Sequence, residues 1–370
     1  MKRLAPLIRE YARHGDQARQ QHPEVIDAFV REGLFRLWVP QSIGGSELDL
    51  IASLELFEGL SSVDGSAGWT ATIGAGGGLF AAYMERVAAK EVFGPPEACI
   101  AGSGTPSGMA RQVEGGFEAQ GTWRYASGAH HATWFTANCV LQAGDDEPKR
   151  GATPTIRAMA FPADQVEILD TWDVWGMRGT DSHDFRVRPV RVASTHTFSV
   201  FTDSPQELGP LYRFPFVSIA EASFGAVALG VGRHVLDAFV ELAREKRSRT
   251  AGDFLAEQAA ARIRLAEGEA MLRAARELFF RAAREAWEAT TAGEEPGRDL
   301  QTRVTLAAVH AAATAAKAAT LVHQAAGMSS VFMASELGRA WRDANVLTQH
   351  AMLSPLLMEA TGDRIFNPGR

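Results

Sequence analysis

The first candidate for chemistry is a histidine near the end of the chain, in the stretch WRDANVLTQHAM. His350 follows Asp343 by seven residues, within a segment otherwise made of packing residues such as alanine and leucine. Such a histidine is more often satisfied by a backbone carbonyl, but an imidazole near its usual pKa can also give or take a proton in a reaction. The adjacent Arg342 and Asp343 are interpreted as a structural ion pair that fixes the helix.

A second group of polar side chains occurs in GTWRYASGAHHATWF. Ser127 precedes a glycine and, by itself, is typical of a turn at the end of a strand. His130 and His131 are adjacent on a predicted strand, where neighbouring side chains point to opposite faces and cannot bind one metal together. The chain also has no HExxH, GxSxG or phosphate-loop motif, so the sequence predicts no metal centre and no nucleotide loop.

Composition narrows the class of protein. The chain has 370 residues, a net charge of −7 and 46% hydrophobic residues, which disfavours a nucleic-acid partner. The basic run at 244–249 is either a solvated helix end or a local anion site. Two cysteines in apolar surroundings predict neither a disulfide framework nor a zinc cluster, and a reduced, cytoplasmic setting is expected. No apolar stretch is long enough to predict a membrane span.

The elements that must position these residues fall into three zones. Residues 1–95 predict an N-terminal helical domain, because stretches such as EVIDAFVREGLFRLW have apolar residues at helical spacing. Residues 96–211 have short segments with turn residues between them, which predicts a small antiparallel β-barrel. Residues 212–370 are rich in alanine and in charge pairs four residues apart, which predicts a four-helix bundle. The predicted fold class is therefore mainly α with a central β-domain.

Four motifs, in this order along nearly the whole chain, resemble those of the acyl-CoA dehydrogenase superfamily. They are EGLFRLWVPQSIGGSELDL, GTWRYASGAHHATWF, DTWDVWGMRGTDSHDFRV and HQAAGMSSVFMASELGRAWRDA. The resemblance implies that Tyr125 and Ser127 lie against a flavin ring, with the Ser127 hydroxyl near flavin N5. It also implies that a loop at Gly102, Ser103 and Gly104 offers backbone N–H groups to the flavin.

The resemblance further implies a flavin site shared between subunits. Arg247, or Arg249 if the alignment shifts, takes the place of an arginine that reaches a neighbouring subunit's cofactor phosphates. Gln324 and Gly327 are expected to touch the cofactor across the same contact. A homotetramer is therefore expected.

The chain departs from the dehydrogenases where their catalytic base belongs. Dehydrogenases of this kind follow the Arg-Asp pair with a glutamate that removes the α-proton of the acyl-CoA. Here that position is Ala351, and His350 precedes it. A histidine there resembles the two-component flavin-dependent monooxygenases, which take reduced FMN or FAD from a separate reductase and hydroxylate a small aromatic, heteroaromatic or amine substrate with O2. The implied roles are proton donation or phenol deprotonation by His350 and N5 contact by Ser127.

Two alternatives stay open on the sequence. An acyl-CoA dehydrogenase with FAD and a relocated base is possible because Glu221, in SIAEASFGAVALG, lies 26 residues before Arg247, as some dehydrogenases arrange it. Taken alone, Glu221 is equally a capping or solvent-facing residue. A non-catalytic flavin-fold protein is the second alternative. Aromatic residues expected to line the pocket are Trp69, Phe80, Trp134 and Phe214.

Overall fold

The computed structural model describes residues 3–142, 154–247 and 252–367. Its first part consists of helices α1 (Leu4–Ala18), α2 (Pro23–Arg31), α3 (Leu50–Ser61), α4 (Gly65–Gly77) and α5 (Arg86–Phe93). Side chains at the N-termini of α3 and α4 start these helices: the Asp49 and Asp64 carboxylates accept the N–H groups of Ala52 and Ala67 at 3.1 and 2.9 Å.

The small residues of α4 let it lie in the middle of the protein. A Cβ on Gly68 would lie 2.7 Å from the Ser61 backbone, and one on Gly74 would lie 2.3 Å from the Phe35 ring. Larger side chains at these positions would push α4 away from its neighbours. The glycines thereby hold Trp69, on the same helix, in a fixed place.

A single sheet follows the first helices. Its strands are β1 (Ile100–Val113), β2 (Gly116–Ala126), β3 (Trp134–Gln142), β4 (Ile156–Pro162), β5 (Val166–Leu169), β6 (His183–Ala193) and β7 (Thr197–Phe198), in the order β5-β6-β2-β1-β3-β4-β7. The prediction of an antiparallel barrel is wrong in detail. β1 and β3 are parallel, and in the described strands β5 and β7 are the edges of an open, mixed sheet. β6 pairs with the outer edge of β2, and β3 pairs with the opposite edge of β1.

The remaining helices are α6 (Pro210–Arg213), α7 (Phe216–Glu245), α8 (Ala259–Thr291), α9 (Arg298–Ala326), α10 (Glu336–Leu347) and α11 (Leu357–Phe366). Two helices, Phe216–Glu245 and Arg298–Ser330, are long and apolar enough to cross a membrane, but 72% and 61% of their most apolar windows are buried inside the protein. They are core helices of the bundle, in close contact where Gly225 faces Ala308. The predicted fold class, mainly helical with a central β-domain, is confirmed.

Helix α10 joins the helical parts to the sheet. The Arg342 guanidinium donates to both oxygens of the Asp16 carboxylate in α1, at 3.1 and 3.0 Å. The Asp343 carboxylate accepts the N–H of Met177, in the segment before β6. The predicted ion pair between Arg342 and Asp343 is therefore wrong, because adjacent helix positions point in different directions and each binds a different segment.

Candidate active site

Trp69 lies at the centre of a group that four separate segments bring together, in which Trp69, Ser127 and Phe224 are buried and His350 is half-buried. Its Nε1–H donates to Ser127 Oγ at 2.9 Å, and its ring stacks on Phe224 with the centroids 4.7 Å apart. The His350 ring meets both aromatic rings edge-on, at 5.2 Å from Trp69 and 4.6 Å from Phe224. We call these four residues the Trp69 cluster. The structure thus brings together Ser127 and His350, which are separated by more than two hundred positions in the sequence.

The tautomer of His350 follows from its hydrogen bond. Its Nδ1 accepts the N–H of Met352 at 3.3 Å, so the proton of the neutral ring is on Nε2. Burial lowers the pKa of His350 to about 4. The expected near-neutral pKa is therefore not found. At neutral pH the ring is uncharged and offers an N–H donor rather than a basic nitrogen.

Two further hydroxyls, those of Ser182 and Thr180, are linked to Ser127 and were not predicted from the sequence. Ser182 Oγ lies 2.7 Å from Ser127 Oγ, and Thr180 Oγ1 lies 2.7 Å from Ser182 Oγ. Thr180 in turn donates to the Met177 carbonyl at 2.8 Å. The only signal in the sequence is the presence of two hydroxyl residues two positions apart in GMRGTDS. A 3-10 turn at Arg178–Thr180 and a left-handed Asp181, with a φ of +55°, bring the two hydroxyls together.

Tyr125, two residues before Ser127, has an unusual backbone. Its φ of +67° is in the left-handed region, which aromatic side chains rarely adopt, and 61% of its surface is exposed. Its ring packs edge-on against Trp172. Backbone strain of this kind is maintained only where the surroundings enforce it, which is common beside binding sites.

The segment at Gly102, Ser103 and Gly104 is part of strand β1 rather than the expected loop. Gly102 and Ser103 pair with β3, the register then shifts, and pairing resumes at Gly108. In the described ladders, residues 104–107 have no strand partner. This bulge lies on the strand next to β2, which carries Tyr125. Two of its backbone groups bind side chains instead of a strand: the Gly104 carbonyl accepts the Asn138 amide at 2.8 Å, and the Thr105 N–H donates to Ser103 Oγ at 3.4 Å.

The residues predicted to act across a subunit contact lie at one end of the bundle. Arg247 follows α7, donates to the Gly252 carbonyl at 3.0 Å and lies 4.0 Å above the Phe254 ring. Gln324 and Gly327 are exposed at the end of α9. Among the described residues, no hydrogen bond joins these three to the Trp69 cluster. Arg249 lies outside the described residues.

Lys246, which the sequence analysis did not single out, lies at the same end. Its Nζ donates to the Ala326 carbonyl at the end of α9. The ammonium group is therefore next to Gly327.

Glu221 is buried between helices. Its Oε2 accepts the Thr305 hydroxyl of α9 at 2.7 Å, and only 4% of the residue is exposed. Burial raises the pKa of Glu221, while the Thr305 hydrogen bond and the Arg364 charge oppose that shift. Glu221 precedes Phe224 by one turn of α7, yet this carboxylate oxygen is turned toward α9.

His130 and His131 lie in a short helical turn, Ala129–His131, and not on the predicted strand. His130, Asp181 and His183 have potential ligand atoms within 4.8 Å of one another, a spacing that a metal ion can use. The Nδ1 of His183, however, accepts the N–H groups of Thr171 and Trp172 at 3.1 Å. In the neutral ring, Nε2 therefore carries the proton and has no lone pair for a metal, so this group is a hydrogen-bond network around Asp181.

The other aromatic residues expected to line the pocket lie elsewhere. Phe80 packs with Phe198 and Phe216, and Trp134 stacks on His196. Phe214 contacts Trp287 of α8. In the described rings, these three have no stacking contact with the Trp69 cluster, so Trp69 is the one member of the expected set that meets His350.

Comparisons with known proteins agree with this architecture. Residues 1–92 match the acyl-CoA dehydrogenase N-terminal domain and residues 222–355 match the acyl-CoA dehydrogenase C-terminal domain. The chain is 35% identical to an indole-3-acetate monooxygenase from Pseudomonas putida, over 97% of this chain and 91% of that protein. It is 29% identical to the flavin-dependent monooxygenase, oxygenase subunit HsaA, from Rhodococcus jostii, over 97% and 96%.

Solved structures give the same result. XiaF from a Streptomyces species, in complex with FADH2 and glycerol, superposes with a TM-score of 0.90 at 25% identity, covering 99% of this chain and 93% of that one. The match extends over both helical parts and the sheet between them. This chain therefore belongs to the acyl-CoA dehydrogenase superfamily, within its branch of flavin-dependent monooxygenases.

Proposed function

We propose that this chain is the oxygenase component of a two-component flavin-dependent monooxygenase. It takes reduced FMN or FAD from a separate reductase and uses O2 to place one hydroxyl on a small aromatic, heteroaromatic or amine substrate. The observation that carries the proposal is the Trp69 cluster, where a hydroxyl and a neutral imidazole N–H meet within an aromatic wall. An indole-like or phenolic substrate is favoured, since the Pseudomonas putida relative is named for indole-3-acetate.

The residues around the cluster fit a flavin ring. In the described ladders the bulge at 104–107 has no strand partner, and the exposed Tyr125 ring lies on the neighbouring strand. Ser127 supplies a hydroxyl at the end of that strand. A flat heteroaromatic ring with several polar edges needs this combination of an aromatic surface and a few convergent polar groups.

Each member of the cluster has a distinct task in the proposed reaction. A bound reduced flavin supplies the electrons that activate O2. His350 Nε2–H donates a hydrogen bond toward oxygen in the cavity, and its neutral state keeps a charge out of the site. Ser127 Oγ would face flavin N5, as the resemblance implies, and would hold that edge of the ring. Trp69 and Phe224 exclude water, which protects a reactive oxygen species from decay.

The alternative functions lose support. A relocated dehydrogenase base has to face the acyl chain, and the Glu221 oxygen is instead bonded to Thr305 inside the bundle. The relatives reported above are named as monooxygenases rather than dehydrogenases. A non-catalytic scaffold has no need for the strained Tyr125 backbone beside an ordered hydroxyl and imidazole.

The partners follow from the same proposal. The reductase partner and the small-molecule substrate follow from the name of the Rhodococcus relative, an oxygenase subunit. The exposed positions of Arg247, Gln324 and Gly327 support a homotetramer. Among the described residues, these three make no hydrogen bond to the Trp69 cluster of their own subunit, so they are available to a neighbouring one. We also propose a cytoplasmic location, where a reductase and reduced flavin are available.

The function is tested with purified protein under anaerobic conditions. Chemically reduced FMN or FAD is added, followed by ¹⁸O2 and a panel containing indole-3-acetate, phenols and amines. One ¹⁸O atom in an organic product is the expected result. Flavin binding without any ¹⁸O product, together with oxidation of an acyl-CoA, would overturn the proposal.

A further inference from the structure

The hydroxyls beneath Ser127 form a chain with a defined direction. Three contacts in this chain are short enough to require a proton in each. Thr180 Oγ1 lies 2.8 Å from the Met177 carbonyl oxygen and 2.7 Å from Ser182 Oγ, and Ser182 Oγ lies 2.7 Å from Ser127 Oγ. Each hydroxyl has one proton to give. Thr180 and Ser182 are buried, at 1% and 4% exposure, so their hydroxyls are shielded from bulk solvent.

The number of hydroxyl protons determines which hydroxyl donates to which in this chain. A carbonyl has no proton, so Thr180 donates to Met177. Ser182 must then donate to Thr180, and Ser127 must donate to Ser182. The Trp69 Nε1–H donates to Ser127 from the other side, which uses one of the two lone pairs on Ser127 Oγ. Ser127 is left with one free lone pair and no free proton.

The starting point of this chain is itself fixed. The Met177 N–H is held by the buried Asp343 carboxylate of α10, and Met177 has a φ of +54°. The Met177 carbonyl also receives the indole N–H of Trp172 at 3.2 Å. The acceptor that sets the direction is therefore rigid, and the direction does not depend on a mobile group.

We infer that the chain Thr180–Ser182–Ser127 makes Ser127 an acceptor only, so that the site selects reduced over oxidised flavin. The inference rests on the proposed function, in which Ser127 Oγ faces flavin N5. Reduced flavin carries an N–H at N5, which the free lone pair accepts. Oxidised flavin carries a lone pair at N5, which then faces another lone pair and cannot be satisfied. Thr180 and Ser182 are positioning residues in this scheme.

The test is the ratio of the Kd for oxidised FMN to the Kd for reduced FMN, measured by anaerobic fluorescence titration without substrate. Ser182→Ala frees the Ser127 proton to turn outward and donate to oxidised N5. We expect oxidised FMN to bind about three- to tenfold tighter, the effect of one net hydrogen bond, while reduced FMN changes by less than about twofold. Thr180→Val should act in the same direction. Ser182 then loses its acceptor and can donate to Ser127 instead, which frees the Ser127 proton to point outward.

Three controls separate this device from a general loss of structure. Ser182→Thr keeps a hydroxyl and should keep the wild-type ratio. Thr290→Val removes a buried hydroxyl in α8 and should leave the ratio unchanged. In the Ser127→Ala background, Ser182→Ala should have no further effect on either Kd, since the reversing proton is gone.

The outcomes are distinct. If the wild-type protein binds neither redox state of FMN and neither redox state of FAD, the proposed function is wrong and the inference falls with it. If wild type prefers reduced FMN but folded Ser182→Ala and Thr180→Val keep the wild-type ratio, the proposed function stands and the hydroxyl chain does not select the redox state. Thermal unfolding of each variant identifies those that fold, and either variant alone is sufficient for the decision.

Discussion

At the residue scale, the neutral state of His350 decides which proton chemistry the site can perform. Its Nδ1 is occupied by the Met352 N–H, and burial lowers its pKa to about 4. A ring in this state has an N–H at Nε2 that can donate a hydrogen bond to oxygen in the proposed reaction. It does not deprotonate a phenol at neutral pH, because no basic nitrogen is free.

Replacement of His350 should separate O2 consumption from hydroxylation. We expect His350→Ala to lower the ratio of hydroxylated product to hydrogen peroxide by about 10- to 100-fold, as expected for loss of a hydrogen bond of about 1.5–3 kcal/mol. His350→Gln keeps an N–H donor and should retain part of the ratio. Product is measured by chromatography and peroxide by a coupled peroxidase assay. An alanine variant that hydroxylates normally would remove His350 from the mechanism.

Because of the lowered pKa of His350, we expect the ratio of hydroxylated product to hydrogen peroxide to be independent of pH near neutrality. Since the pKa of His350 in the folded protein is about 4 rather than 6.5, the ring stays neutral throughout the range from about pH 6 to 8. The product-to-peroxide ratio of the wild-type protein should therefore not change in that range through His350. An inflection near pH 6.5 that disappears in His350→Gln would show that the imidazole titrates during the reaction.

At the element scale, α4 is positioned by its glycines, and a matched pair of substitutions tests this. Gly74→Ala places a Cβ 2.3 Å from the Phe35 ring, so we expect the free energy of unfolding to fall by about 1–3 kcal/mol. Gly76, on the same helix, has nothing within 4 Å of the added Cβ, and Gly76→Ala should stabilise by about 0.5–1 kcal/mol. Urea unfolding measures both. Equal effects would contradict the packing role of Gly74.

Helix α10 adds a pH-dependent contribution through Asp343. Burial and the nearby Asp64 carboxylate raise the pKa of Asp343 from 3.8 to about 7. Between these values the folded state keeps a proton that the unfolded state has lost, so the free energy of unfolding falls as pH rises. Asp343→Asn keeps an acceptor for the Met177 N–H and removes the titration. Between these pH values, the free energy of unfolding of Asp343→Asn should fall less steeply with pH than that of the wild-type protein. The difference in slope should be up to about 1.4 kcal/mol per pH unit. Parallel profiles would show that Asp343 does not titrate there.

At the scale of the whole molecule, an exposed apolar surface adjoins the residues expected to reach another subunit. Met328, Val331, Phe332 and Met333 are 70%, 53%, 64% and 63% exposed, next to Gly327. Exposed apolar groups clustered in this way mark an interaction surface. They support the proposed homotetramer, in which one subunit completes the flavin site of another.

Disruption of that surface should change both assembly and cofactor binding. We expect Phe332→Glu to reduce the mass in light scattering below that of a tetramer and to weaken reduced-flavin binding by about tenfold, through loss of the neighbour's contacts. Val87→Glu is the matched control, because Val87 is 77% exposed on α5. A wild-type protein that is monomeric and binds reduced flavin tightly would exclude the shared site.

The order of elements and the residue types of the site were predictable from the sequence. Apolar spacing predicted the helices. Oxygenase chemistry was implied by the resemblance to the flavin-dependent monooxygenases, because His350 precedes the position at which dehydrogenases have their glutamate. These features are local, because periodicity and residue chemistry depend on neighbours along the chain. The alternation of Thr180 and Ser182 was visible too, but nothing in the sequence shows which group their hydroxyls face.

The contacts between distant segments became known only from the folded structure. Arg342 and Asp343 are neighbours in sequence, yet they bind Asp16 and Met177 in different parts of the fold. β3 pairs in parallel with β1, whereas β6, which comes later in the chain, pairs with β2. The tautomer of His350 and the proton direction at Ser127 depend on which donors and acceptors packing brings within 3.5 Å. That information is a property of the assembled core, and no local pattern contains it.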